Sequence, residues 1–244
     1  IKRLLLLLVT IFLCARMMGE TIIPDSISNP IRTGFHPDPS ICRVGEDYYL
    51  VTSSFTWFPG LPIYHSRDLT NWSLIGHALT NPKAIDFNGM TDNDGIWAPT
   101  LRYHNGTFYL ITTAHGCGGN FYMTAKNPAG PWSDPVWLKD APGIDPSLFF
   151  DEDGRCYYTG NRWDFKSAWP AQCAVWMQEL DLQKGRLVGE RKTLAYGHAA
   201  NAKYAEGPHL YKWFGKYYLM LAEGGTEYGH METMQRADSP YGPY

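Results

Sequence analysis

The stretch Asn105-Gly106-Thr107-Phe108-Tyr109-Leu110-Ile111 decides the architecture, because the chain writes its pattern four times. The pattern is a tight turn containing glycine, followed by a short apolar strand rich in aromatics. The other copies are Gly45-Glu46-Asp47-Tyr48-Tyr49-Leu50-Val51, Asp153-Gly154-Arg155-Cys156-Tyr157-Tyr158 and Phe214-Gly215-Lys216-Tyr217-Tyr218-Leu219-Met220. Measured on the second aromatic, Tyr49, Tyr109, Tyr158 and Tyr218 stand 60, 49 and 60 residues apart. Such a period fits the four-stranded blades of a β-propeller. A further strand recurs in each unit, at Pro62–Ser66, Asn120–Ala125, Ala174–Met177 and Met231–Met234. Turns with tryptophan close two of the blades, at Asp68–Trp72 and Asn127–Trp132. No helical period is sustained anywhere. The expected fold class is all-β.

Composition agrees. The 244 residues include 24 glycines, 17 prolines and 15% aromatics, which suits short strands joined by many turns. A net charge of −3 with no basic stripe argues against a nucleic-acid partner. Aromatic, weakly charged surfaces suit a neutral ligand such as a sugar.

Residues 1–19 differ in kind. Lys2-Arg3 precede an apolar run from Leu4 to Ala15, short for a bilayer span and of the length of a secretory core. The expectation is a signal peptide and an exported protein with no stable membrane association; the alternative is a short membrane anchor. Residues 20–30 form a lead-in, and 31–244 the propeller. Cys42, Cys117, Cys156 and Cys173 include no Cys-x-x-Cys pair, so neither a zinc site nor a disulfide scaffold is expected.

Three acids share a place in the repeat. Asp38, in His36-Pro37-Asp38-Pro39-Ser40, lies 11 residues before Tyr49. Asp145, in Gly143-Ile144-Asp145-Pro146-Ser147, lies 13 before Tyr158, and Glu206, in Tyr204-Ala205-Glu206-Gly207-Pro208-His209, lies 12 before Tyr218. In the second copy that place, 12 before Tyr109, belongs to Trp97. Equivalent positions of successive blades surround one axis, so these four residues are expected at one pocket. Taken singly, an Asp-Pro is more often a turn residue; the shared register makes the joint site. Crowded carboxyl groups cannot all ionise, which leaves one proton donor and one base, the pair that glycoside hydrolysis uses. Trp97 and Phe55 offer flat faces to a sugar ring, and His36 and His209 flank the acids as hydroxyl- or carboxylate-binding candidates. Glu223 reads either as support behind the acids or as a solvated loop residue.

At these residues the chain resembles glycoside hydrolase family 43, in its β-xylosidase and α-L-arabinofuranosidase members. The matching stretches are Gly34–Ser40, Ser54–Gly60, Gly95–Pro99, Ile144–Phe149 and Glu206–His209. The resemblance implies a five-bladed propeller, of which about four blades are present, and hydrolysis with inversion at the ends of plant oligosaccharides. By the same resemblance Asp38 is the general base, Glu206 the general acid, and Asp145 the group that tunes and orients Glu206. Phe55 and Trp97 line the subsite for the terminal sugar. No cofactor is implied for the chemistry, and a structural calcium has a place in the complete propeller. A fifth blade, and the arginine and axial histidine that the family carries later, belong after Tyr244, so the chain is expected to be part of a longer one. The alternatives are an arabinan-cleaving hydrolase and a sugar-binding propeller without turnover.

Overall fold

The computed structural model describes residues 24–163 and 165–244. The leader expected over 1–19, and residues 20–23 of the lead-in, lie outside the described residues. Among those described, every regular element is a strand.

Four antiparallel sheets follow one another in chain order. Blade 1 contains β1 (Ser40–Val44), β2 (Asp47–Val51), β3 (Gly60–Ser66) and β4 (Ser73–Leu79). Blade 2 contains β5 (Gly95–His104), β6 (Thr107–His115), β7 (Gly119–Ala125) and β8 (Val136–Trp137). Blade 3 contains β9 (Ser147–Phe150), β10 (Cys156–Arg162), β11 (Ala174–Asp181) and β12 (Arg186–Ala195). Blade 4 contains β13 (Glu206–Trp213), β14 (Lys216–Glu223) and β15 (Met231–Ala237). Each sheet is a plain meander, and the all-β propeller expected from the repeats is the fold found.

The repeated turn joins the first two strands of every blade. In blade 2, Asn105 and Gly106 both have positive φ (47° and 74°), the geometry that matches hairpin twist. Phe214 and Gly215 do the same in blade 4 (46° and 70°). The four ruler tyrosines sit in one register, each two residues past the first cross-strand pair of its hairpin.

Apolar layers between neighbouring blades hold the series together. Val51, Leu61 and Ile63 of blade 1 pack with Leu101, Leu110 and Phe121 of blade 2. Ile111 and Tyr122 of blade 2 meet Leu148, Tyr158 and Trp176 of blade 3. Tyr157, Val175 and Met177 of blade 3 meet Leu210, Leu219 and Leu221 of blade 4. Strand β10 is buried along most of its length, because Tyr157 faces one neighbour and Tyr158 the other. Large side chains buried in such layers contribute roughly 1.5–3 kcal/mol each.

The inner strands β1, β5, β9 and β13 pack consecutively against one another. Hydrogen bonds stitch the blades at this level: the Ser40 hydroxyl accepts from Leu101 N–H (3.2 Å), Arg102 Nε donates to the Leu148 carbonyl (3.0 Å), and Thr159 of β10 donates to the Pro208 carbonyl of β13 (3.3 Å). This places the starts of all four inner strands around one centre.

Trp176 anchors the layer between blades 2 and 3. It is fully buried, stacked on Tyr158 (4.7 Å between centroids), and donates Nε1 to the Asn161 carbonyl (3.3 Å). In the full-length protein, Trp176→Ala is expected to lower stability by about 3–5 kcal/mol in chemical denaturation. A loss below about 1 kcal/mol would show that this layer does not hold the blades.

Candidate active site

The residues that open the inner strands line one cavity of about 250 Å³. Its walls include Asp38, Pro39 and Ser40 from blade 1, Ala98 to Thr100 from blade 2, Asp145 from blade 3, and Glu206, Gly207 and His209 from blade 4. A larger hollow of about 540 Å³, beside the connection from blade 1 to blade 2, holds a single carboxyl group, Asp86. Only the smaller cavity gathers acids.

Two backbone devices deliver the acids. Asp38 and Asp145 each stand two residues before their strands with left-handed φ (53° and 54°), in an Asp-Pro pair. Asp is among the few side chains that adopt this region readily. Glu206 is instead the first residue of β13 and sits ahead of a β-bulge between Glu206 and His209. Trp97 precedes the matching bulge of β5, between Trp97 and Thr100. The four positions are equivalent along the repeat but form two kinds.

Each acid has its own surroundings. Asp38 is exposed, and its Oδ2 accepts a short hydrogen bond from the Ser53 hydroxyl (2.5 Å). Asp145 is partly buried, and its Oδ2 accepts from the Gly207 N–H (3.2 Å), which ties it to the residue beside Glu206. Burial raises the Asp145 carboxyl well above the usual range, and the charges of Glu206 and Asp38 raise it further; the Gly207 N–H opposes them. Burial, then the Asp38 charge, push Glu206 up to about 7, against the opposing pull of His230.

His209 lines the cavity floor. Its Nδ1–H donates to the Gly207 carbonyl (2.9 Å), so Nε2 is free to face the Thr100 hydroxyl (3.4 Å). Burial, then the Arg102 guanidinium, hold this imidazole down at about 3, and it stays neutral.

The remaining sequence candidates lie outside the lining. The Trp97 indole stacks on His115 (3.8 Å, 8° between planes) and donates Nε1 to the Asn93 carbonyl (2.8 Å). Phe55 bridges to Ile96 and stacks on Phe35 at 5.8 Å. His36 packs edge-on to Tyr64 and contacts the Thr33 carbonyl (3.2 Å). Sequence reasoning did not reach Ser53, nor Thr226, His230 and Glu232, which form the outer wall. Glu232 was signalled only by register: Glu206, Ala222 and Glu232 stand in one row across β13, β14 and β15. Among the described residues, no group of three or more His, Cys, Asp or Glu side chains is spaced to hold a metal ion. The calcium expected for the complete propeller is therefore given no ligand set here.

The chain matches the family description "Glycosyl hydrolases family 43" over residues 27–244. The chain belongs to that family. It is 49% identical over 217 residues to a xylosidase/arabinosidase of Butyrivibrio fibrisolvens, covering 86% of this chain and 41% of the relative. It is 47% identical over 246 residues to a non-reducing end α-L-arabinofuranosidase of Bacteroides ovatus, covering 99% and 44%. The crystal structure of a xylan β-1,4-xylosidase from Bacillus halodurans superposes with a TM-score of 0.82 at 48% identity, covering 90% of this chain and 43% of that one. The chain thus spans less than half the length of these relatives.

The Asp38 charge is one cause of the raised Glu206 carboxyl. Asp38→Asn in the full-length protein should therefore move the Glu206 titration, followed by carbon NMR of labelled glutamate, below about 7. An unchanged titration would show that the two groups do not share a cavity.

Proposed function

We propose that this family 43 chain carries the catalytic centre of an exported glycosidase that releases xylose or arabinofuranose from the non-reducing ends of plant oligosaccharides, with inversion. The observation that carries the reading is a carboxyl held protonated to about pH 7, Glu206, in one cavity with a solvent-exposed carboxylate, Asp38. An inverting hydrolase uses these two groups in one step. The named activities of the relatives support the pentose, and the leader pattern supports export.

In this reading Asp38 takes a proton from a water molecule, whose oxygen attacks the anomeric carbon. Glu206 gives its proton to the glycosidic oxygen as the C–O bond breaks on the opposite face. The products are a pentose of inverted configuration and the shortened glycan. Proton exchange with solvent then restores Glu206 and Asp38. The hydroxyl of Ser53 holds Asp38 in place, and Asp145 orients Glu206 by accepting from the N–H of Gly207, the next residue in the chain. Phe55 and Trp97 bound the sugar subsite from beyond the innermost shell, and His209 presents a neutral ring to a hydroxyl.

Loss of the Glu206 proton removes the acid, so kcat/KM should fall as pH rises through about 7. Glu206→Gln should lower kcat/KM on an unactivated pentoside by roughly 10²–10⁴-fold while sugar binding persists. Both are read with the full-length protein on a panel of nitrophenyl and natural pentosides, with the first-formed anomer followed by NMR. Turnover unaffected by Glu206→Gln would favour a sugar-binding propeller with adventitious activity, and product of retained configuration would remove the inverting mechanism.

A further inference from the structure

Glu223 closes β14 on the face opposite Glu206. Along β14 burial alternates strictly, and Tyr217, Leu219, Leu221 and Glu223 all turn toward blade 3. A carboxylate at the end of an apolar row is expensive to bury unless its oxygens are satisfied. Glu223 is 1% exposed, and among the described residues no lysine or arginine is paired with it. Its hydrogen bonds come from the chain itself. Oε1 accepts from the His198 N–H (2.5 Å) and from the Thr233 hydroxyl (2.8 Å), and Oε2 accepts from the Ala199 N–H (3.1 Å).

His198 and Ala199 belong to the connection between β12 and β13, which runs directly into Glu206. Three further bonds fasten that connection: Trp169 Nε1 to the Ala202 carbonyl (2.7 Å), Tyr204 N–H to the Ala171 carbonyl (2.8 Å), and Gly224 N–H to the Lys203 carbonyl (2.8 Å). Gly197 lies against the Glu223 carboxylate with φ 101°, and a Cβ there would collide with the Ala202 side chain. The connection is thus moulded onto Glu223. After Glu206 the backbone is held by the bulge and by the bond from Gly207 to Asp145.

We propose that Glu223 is a positioning residue for the general acid: its buried carboxylate fixes the 197–205 connection and so sets where the Glu206 carboxyl stands against the leaving oxygen. This rests on the glycosidase reading above. Charge-assisted bonds from two successive backbone N–H groups are short and directional, which suits such an anchor. An amide in place of the carboxylate keeps the shape, but its NH₂ group turns a donor toward one of these donors.

Misplacing a general acid has a signature that general destabilisation lacks. A poor leaving group needs the proton, whereas an activated aryl group departs without it. The test compares an unactivated pentoside with the matching dinitrophenyl pentoside, using the full-length protein and whichever pentose it accepts. Wild-type turnover of both establishes the underlying reading before the variants are compared. With Glu223→Gln, kcat/KM on the unactivated substrate should fall at least about tenfold, and on the dinitrophenyl substrate less than about twofold. Thr233→Val, which removes one bond to the same carboxylate, should show a smaller loss of the same kind and carries the test if Glu223→Gln does not fold. Equal losses on both substrates, tracking a lower unfolding midpoint, would overturn the proposal. No loss on either substrate would also overturn it.

Discussion

Three carboxyl groups cannot share one half-buried cavity with all of them ionised. Removal from water and mutual repulsion both favour the protonated form. Here the conflict is divided unequally. Asp38 keeps contact with solvent and a hydroxyl donor, while Asp145 and Glu206 are further from water and face its charge. The fold imposes this arrangement at some cost in stability. A carboxyl raised in the folded state holds a proton that the unfolded chain would release, so Glu206 weakens the fold as pH rises from its ordinary 4.5 through about 7.

The rest of the molecule opposes that cost and keeps the acids in place. Successive blades bury continuous apolar layers, and hydrogen bonds from β5 to β1 and β9 fix the relative heights of these inner strands. A second polar clamp joins blades 3 and 4 away from the cavity. The buried Asp151 carboxylate pairs with Lys212 Nζ (3.1 Å) and accepts from the Tyr217 hydroxyl (2.8 Å). Behind the cavity, Glu223 supplies the anchor for the segment that ends in Glu206. The acid that opens β13 therefore depends on a buried group 17 residues further along the chain.

Much of this was legible in the sequence, for a physical reason. A hairpin turn demands glycine or asparagine, and the strand after it lies between two blades and must be apolar, so this unit repeats visibly. The outer strands were not legible in the same way. Strand β12 is largely exposed at the periphery, and its sequence Arg-Leu-Val-Gly-Glu-Arg-Lys-Thr-Leu-Ala lacks the alternation of a half-buried strand. Counting residues placed Trp97 level with Glu206, and both do precede a bulge. The count could not foresee that the indole would lie on His115 while Ala98 and Pro99 line the cavity. Nor could it settle Glu223, whose burial depends on a partner segment 25 residues earlier in the chain.

The central claim is that Glu206 carries a proton near neutrality in the cavity that it shares with Asp38. Neutron diffraction from crystals of the full-length protein, grown slightly below neutral pD, observes this directly. The account requires deuterium density on the Glu206 carboxyl and both side chains turned into one cavity. A bare Glu206 carboxylate, or the two carboxyls on separate faces, would contradict it.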